Sequence, residues 1–554
     1  MIEHKRDKIL VAGWPNLTTI ANLTLDHFNE ICDPQQSYMA YVGASLGYEV
    51  PAFIRNRWSW VEAASYGLLG RIAIRTLTGN TTGQEVETGQ RNLTLASFYG
   101  TDGFSRRSYS SVWSEDTTLY VWEQARVMFT LMAWYIESED ESLLEYTKGI
   151  LQALTGITKK EGSFLLFSPP YDRQEVFGDV APITLVEPLM KYFEVSGDTS
   201  ALEFCQGIIN WAVHPSTNLV DKHYRLSGWL RGNASALAGI ARFASATNDA
   251  GLLDYVENVF RSALSLTTRY GGTPDTEPCC TNMELTTTAL ALTKSGRGEW
   301  WDMIDRHFRN HTLACQFTDP KAVNTGHIEG SPGPHDDSLD ILSRSVGGFS
   351  WATAREHLFD FGQLMVCCGG NAMWTLGKIA ANAATLDDTV LSINLHFTLR
   401  TPLATITSYE PFEGAFEVVP RYKGDVRIRK PAYAANILVK VNGNTVTPKD
   451  NGTYLYLSKI PAGTTIILQY DMPEKLSEET TKLTPGKDCF DVKSEPVVKE
   501  RIQARWIGNT VLSIDYESDS PEPLHRMYQN RPELFKQGSN ETTELFVPEK
   551  YFEW

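Results

Sequence analysis

Tyr192-Phe193-Glu194-Val195-Ser196-Gly197-Asp198-Thr199-Ser200-Ala201-Leu202-Glu203-Phe204 decides how the first two thirds of the chain are read, because its arrangement occurs twice more. The other copies run from Trp134 through Asp140 and Leu144 to Tyr146, and from Phe243 through Asp249 and Leu253 to Tyr255. In each, an aromatic residue closes an apolar run of helical period and an Asp follows after a short polar stretch. The Asp suits the N-cap of a second helix, where its carboxylate accepts from free backbone N–H groups. The Leu and aromatic that follow then face a core. The motif recurs at roughly 50 to 60 residues, the length of two helices with their connections, and such hairpins stack into a solenoid or a closed toroid.

Helical periodicity extends from about residue 55 to about residue 385, room for roughly twelve helices. The expected fold class is therefore mainly α with β: an (α/α)6 helical toroid over residues 1–387, followed by a β-sandwich. The sandwich is expected over 388–473, where the period falls to two in Val390–Phe397, Thr405–Tyr409, Phe416–Val419, Val426–Arg429, Asn436–Val441, Tyr454–Leu457 and Thr465–Tyr470. Asn442-Gly443 reads as the turn of a hairpin. The remainder, 474–554, is expected to pack back on the sandwich or the barrel.

The 554 residues carry a net charge of −17, which excludes the basic surface a nucleic-acid partner needs. No stretch reaches the roughly 18 to 20 apolar residues of a membrane span. The N-terminus has no apolar signal-peptide core, and unpaired thiols suit a reducing compartment; a cytoplasmic location is expected, or a periplasmic or secreted one if a signal peptide has been removed. With 14 Trp, 23 Tyr and 24 Phe the chain has aromatic faces enough for sugar rings. Nothing in the sequence speaks to oligomeric state.

Four of the eight cysteines fall in two adjacent pairs, Glu277-Pro278-Cys279-Cys280 and Cys367-Cys368-Gly369-Gly370-Asn371. Two doublets and a neighbouring carboxylate supply the donors of a thiolate-rich Zn²⁺ site, and this favours a metal over merely buried thiols. Cys32, Cys205, Cys315 and Cys489 are scattered and expected to be buried. No phosphate loop, His-Glu-x-x-His or nucleotide fingerprint is present.

The helical barrel, the two doublets and the trailing sandwich together resemble glycoside hydrolase family 127, the β-L-arabinofuranosidases that use a zinc-bound cysteine as nucleophile. The family reads Glu-Thr-Cys and Cys-Cys-Pro-Pro-Asn where this chain has Glu277-Pro278-Cys279 and Cys367-Cys368-Gly369-Gly370-Asn371. The resemblance implies zinc held by Glu277, Cys279, Cys367 and Cys368, with Cys367 also the nucleophile. Cys280 is then a buried thiol beside the metal, or the ligand in place of Cys279 if the local helix starts differently. The activity implied is a retaining, exo-acting glycosidase on a glycan, releasing a terminal β-L-arabinofuranosyl or related sugar. A sugar lyase or epimerase on the same toroid, and a non-catalytic glycan-binding protein with structural zinc, stand as alternatives.

The family's general acid/base lies in a Gly-Glu-Ala-Phe-like segment that this chain lacks. In Arg269-Tyr-Gly-Gly-Thr-Pro-Asp275-Thr-Glu277 the carboxylate besides the ligand is Asp275, the expected acid, with Glu175 and Glu329 next. Loops between helices supply expected substrate contacts at Trp58, Asp172, Glu175, His223, Trp229 and His335.

Overall fold

Each repeated Asp sits at a helix start. Asp198 accepts from Ser200 N at 3.0 Å, Asp249 from Leu252 N at 2.9 Å, and Asp140 from Ser142 N at 3.0 Å. Leu144, Phe204 and Leu253 behind them are buried. These observations come from a computed structural model describing residues 7–11, 13–46, 50–59, 61–106, 119–167, 178–217, 219–226, 230–273, 278–320, 335–350, 363–483, 497–516, 541–546, 548 and 554.

The helices are α1 (Leu17–Glu30), α2 (Glu62–Thr78), α3 (Gln84–Ala96), α4 (Val121–Ser138), α5 (Ser142–Gly156), α6 (Val186–Ser196), α7 (Thr199–Ala212), α8 (Leu230–Ala246), α9 (Ala250–Leu264), α10 (Pro278–Lys294), α11 (Trp301–His307), α12 (Ile341–Ser345) and α13 (Val366–Ala383). Helix α2 packs on α4, α4 on α6, α6 on α8, α8 on α10, α10 on α13, and α13 returns to α2. That ring is the inner wall of an (α/α)6 toroid. Its members are buried on every side: α2 from Ala63 to Ile74, α13 from Val366 to Ala380. The outer helices bury one stripe, as in α9, where Leu253, Val256, Val259, Phe260 and Ala263 repeat at helical spacing. Each fully buried Leu or Phe contributes roughly 1.5–3 kcal/mol.

Inner and outer helices alternate, so all six inner helices begin at the same end. The connections at the other end are short turns, such as 139–141, 197–198 and 247–249, and they include the three repeated Asp. The connections at the starting end are long: 97–120, 157–185, 213–229, 265–277 and 308–365. Long loops around one end of a rigid scaffold make that end the mouth of the barrel.

The sandwich follows α13. One sheet runs in the order Lys449–Asp450, Tyr454–Ile460, Gly424–Arg429, Val390–Ile393, Ala384–Asp387. The other runs Leu399–Arg400, Ala404–Ser408, Ala415–Pro420, Ile466–Asp471, Ala435–Val441, Asn444–Val446. Leu391, Val426 and Leu455 of the first face Ile406, Phe416 and Leu468 of the second in one core. Asn442 and Gly443 have φ of 47° and 80°, the left-handed pair the hairpin turn requires, and Val441 pairs with Asn444. A three-stranded antiparallel sheet, Glu474–Leu483, Val497–Ile507 and Thr510–Tyr516, packs on the helical part through Ile502, Trp506, Val511 and Tyr270. Asp7–Val11 pairs antiparallel with Glu541–Leu545. Among the described residues no helix is long and apolar enough to cross a membrane.

Candidate functional site

The second doublet opens α13. The strand Gln363–Met365 pairs with Gly43–Ser45, and Val366 N donates to Val42 O at 3.0 Å, which fixes where the helix begins. Cys367 and Cys368 then lie in its first turn. Gly369 and Gly370 let α13 press against its neighbours. A Cβ on Gly370 would come within 2.4 Å of Tyr66 O, and one on Gly369 within 3.0 Å of the Phe28 ring. Helix α2 approaches α13 at this point, and only glycine fits there.

The first doublet opens α10, one residue after Pro278. Successive residues of a helix point about 100° apart, so the two thiols cannot face the same way. Cys280 turns to α13: its Sγ lies 3.2 Å from Cys368 Sγ, and the sulfurs of Cys280, Cys367 and Cys368 all lie within 4.8 Å of one another. Cys279 is left out of the group and faces Cys315, whose thiol donates to His311 O at 3.3 Å. Of the doublet it is Cys280, the alternative to Cys279, that lies with Cys367 and Cys368, because the helix begins in the register that presents Cys280. Burial, then the Cys315 contact, pushes the Cys279 thiol well up, as befits a core cysteine. Cys32, Cys205 and Cys315 are likewise free and buried.

The three sulfurs suit a metal. Around zinc at about 2.3 Å per bond, tetrahedral thiolates stand about 3.8 Å apart, and the observed group needs little movement to reach that. The first turns of two helices aim their N–H ends at the group, which favours thiolate. Hydrogen bonds from Cys367 and Cys368 hold the Cys280 thiol well below its ordinary range, with help from the Arg231 guanidinium. The hydrogen bond to Cys280 pushes the Cys367 thiol well up, and burial, then the Cys280 contact, does the same for Cys368. Exposure separates the three. Cys280 and Cys368 are 0% exposed, whereas Cys367 keeps 8%.

Around the cysteines, side chains converge from four inner helices. Arg126 Nη1 and Arg231 Nη2 both donate to Tyr66 Oη, at 3.4 and 3.3 Å, and both guanidiniums lie over the Trp122 ring, at 4.2 and 5.7 Å. Burial pushes the Tyr66 hydroxyl far above its usual range. One turn beyond Cys280, Glu284 faces a small chamber with Arg126, Asn371, Thr375 and Lys378. Burial raises Glu284 to about 7, and its Oε1 has no hydrogen-bond partner. Beyond the chamber, Lys378 Nζ and Trp554 Nε1 donate to Glu187 Oε1 at 2.9 and 2.6 Å. A cavity of about 780 Å³ lies there, at the end away from the cysteines, between Lys191, Arg242, Lys294 and Trp554.

Of the expected substrate contacts, Trp58 stands at the mouth with its ring 5.5 Å from that of Tyr120. His223 is exposed on the 213–229 loop, where its backbone N–H donates to Asp221. His335 is half-buried beside Asp336, whose carboxylate accepts from Arg55 N at 3.1 Å. Asp172, Glu175, Trp229, Asp275, Glu277, Glu329 and Cys489 lie outside the described residues. Sequence reading passed over Tyr66, Trp122, Arg126 and Glu284. The available signal was helical spacing: Tyr66, Arg126, Glu284 and Asn371 each stand four residues after Glu62, Trp122, Cys280 and Cys367.

No family model matches the sequence, and no curated protein does. Solved structures do. A family 127 β-L-arabinofuranosidase from Geobacillus stearothermophilus T6 superposes with a TM-score of 0.52 at 14% identity, over 82% of this chain and 75% of its own. A second family 127 β-arabinofuranosidase gives 0.57 at 11% identity over 92% and 85%, and a structure titled glycoside hydrolase gives 0.52 at 14% over 87% and 84%. The likeness is one of fold. It extends from the toroid through the sandwich, so the cysteine group lies in a frame that those enzymes share.

Proposed function

We propose that this protein is a retaining, exo-acting glycoside hydrolase that uses Cys367 as nucleophile, on a terminal β-L-arabinofuranoside or a related furanoside of a glycan. The observation that carries the reading is the meeting of Cys280, Cys367 and Cys368 at the mouth of the toroid, with Cys367 the member that keeps exposed surface. Cys280, Cys367 and Cys368 would hold Zn²⁺, with Glu277 the expected fourth donor. Zinc, when bound, keeps the three sulfurs deprotonated at neutral pH. Three thiolates and a carboxylate outweigh its two positive charges, so sulfur keeps nucleophilicity.

In the first step Cys367 Sγ bonds to the anomeric carbon as the glycosidic C–O bond breaks, and the leaving oxygen takes a proton from the acid, for which Asp275 is proposed. In the second, water bonds to the anomeric carbon, the C–S bond breaks, and the conjugate base takes the water proton. Arg231 stands beside the sulfurs and favours their anionic form. The lyase or epimerase alternative needs a base such as Tyr66, but burial holds its hydroxyl protonated far above neutral pH, which argues against it. The 8% exposure of Cys367, against 0% for the other two, supports the catalytic reading over structural zinc.

The test is a screen of aryl furanosides with zinc-loaded protein, followed by NMR of the first-formed sugar. Retention of anomeric configuration is the expected result; an inverted product rules out the cysteine route.

A further inference from the structure

The turn 268–273, which leads into α10 and its cysteines, is gripped from a distant part of the chain. Glu479, on the strand Glu474–Leu483 and 3% exposed, accepts from Arg269 N at 2.8 Å and Arg269 Nε at 2.9 Å. Ser477 Oγ also donates to Glu479, at 2.6 Å, and receives a hydrogen bond from Trp506 Nε1 at 2.8 Å. Tyr270 is buried against Trp506, Ile502 and Val511 of the same sheet. The sheet is in turn fastened to the helical part: Val511 N donates to Asn310 Oδ1 at 2.8 Å, Asn310 Nδ2 to Asn509 O at 2.7 Å, and Asn509 Nδ2 to Asp305 Oδ2 at 2.8 Å.

The turn has little freedom of its own. Thr268 N donates to Gly272 O and Gly272 N to Thr268 Oγ1, at 2.8 and 2.7 Å. Gly271 has φ of 100° and a Cβ there would strike Asn282 Nδ2 at 2.1 Å, the atom that donates to Gly271 O at 3.0 Å. Asn282 is on α10, two residues after Cys280. The hydrogen bond from Asn282 to Gly271 thus ties the first turns of α10 directly to the turn 268–273.

We propose that Glu479 is a positioning residue for the cysteine site, holding the turn 268–273 from the C-terminal sheet and so placing the start of α10 with Cys280. The C-terminal sheet is then part of the working unit. The proposal rests on the reading of Cys280 as a member of that site.

The test is the rate at which metal-free protein is alkylated by iodoacetamide at Cys280, mapped by peptide mass spectrometry, with Cys205 in α7 as a reporter of global opening. In Glu479→Ala the Cys280 rate should rise roughly tenfold to a hundredfold, the range set by losing a charge-assisted anchor, with Cys205 unchanged and zinc bound correspondingly more weakly. Glu479→Gln, which keeps an acceptor, should fall between. Glu478→Ala, on the neighbouring exposed residue, should match the wild type. Should Glu479→Ala not fold, Arg269→Met removes one arm and keeps the backbone hydrogen bond, and should raise the Cys280 rate by a smaller factor. Wild-type Cys280 rates in the folded variants overturn the proposal. Wild-type protein that binds no zinc and cleaves no furanoside, while Cys280 still responds to Glu479, removes the hydrolase reading and leaves the positioning role.

Discussion

Cys367 and Cys280 divide two tasks that the sequence places in adjacent pairs. Cys280 is enclosed, and its hydrogen bonds with Cys367 and Cys368 hold its thiol below the ordinary range; Cys367 keeps the exposed edge. Replacing Cys367 with Ser should leave a folded protein and lower turnover by at least roughly a thousandfold, as loss of a nucleophile does. Comparison of kcat with the thermal transition of each protein checks it. Glu284 makes a separate prediction. Its carboxyl is raised by burial from 4.5 to about 7, so the folded protein holds this proton more tightly than the unfolded chain. Its titration contributes nothing while it is protonated in both states and increasingly destabilises the fold as pH rises from about 4.5 through about 7. Glu284→Gln stays neutral. Relative to wild type it should therefore gain stability between pH 5 and pH 8, on the order of 1–3 kcal/mol. Urea midpoints for both proteins at the two pH values decide the matter, and a pH-independent difference counts against it.

At the scale of elements, the contact between α13 and α2 sets the second doublet. Gly370→Ala places a methyl group 2.4 Å from Tyr66 O, a backbone atom that cannot step aside. It should cost about 1–3 kcal/mol and weaken zinc binding, since Cys367 and Cys368 move with the helix. Gly369→Ala meets the edge of the Phe28 ring at 3.0 Å, which can yield, and should be milder. Thermal melts and zinc titration of the pair give the order. The first doublet shows where sequence reading stops. Glu277-Pro278-Cys279 matches the family spacing, yet which of two adjacent thiols faces inward depends on where α10 begins. That start is set by the packed turn 268–273 and the distant Glu479, neither of which spacing reveals. Asp198 and Asp249, by contrast, cap helices that begin within a residue of them, and local signals of that kind were legible at once.

For the molecule as a whole, the same contrast holds between the two ends of the barrel. The end away from the cysteines is built of short turns whose Asp signals repeat, and from them the toroid could be read. The mouth is built of long loops and of inner-helix faces such as Tyr66, Arg126 and Arg231, brought together by ring closure of α13 on α2 rather than by any local pattern. Because the three sulfurs meet only when the ring closes, a metal held by them would couple its binding to folding. Removing zinc with a chelator should lower the thermal transition, and restoring zinc should recover it; a transition indifferent to chelation contradicts a metal at this junction. The most direct measurement is peptide mass spectrometry of zinc-loaded protein after reaction with a furanose-configured, thiol-directed covalent inhibitor. The account predicts a single glycosyl adduct on Cys367, absent after zinc removal. An adduct on a carboxylate, or none in protein that cleaves its furanoside, would contradict it.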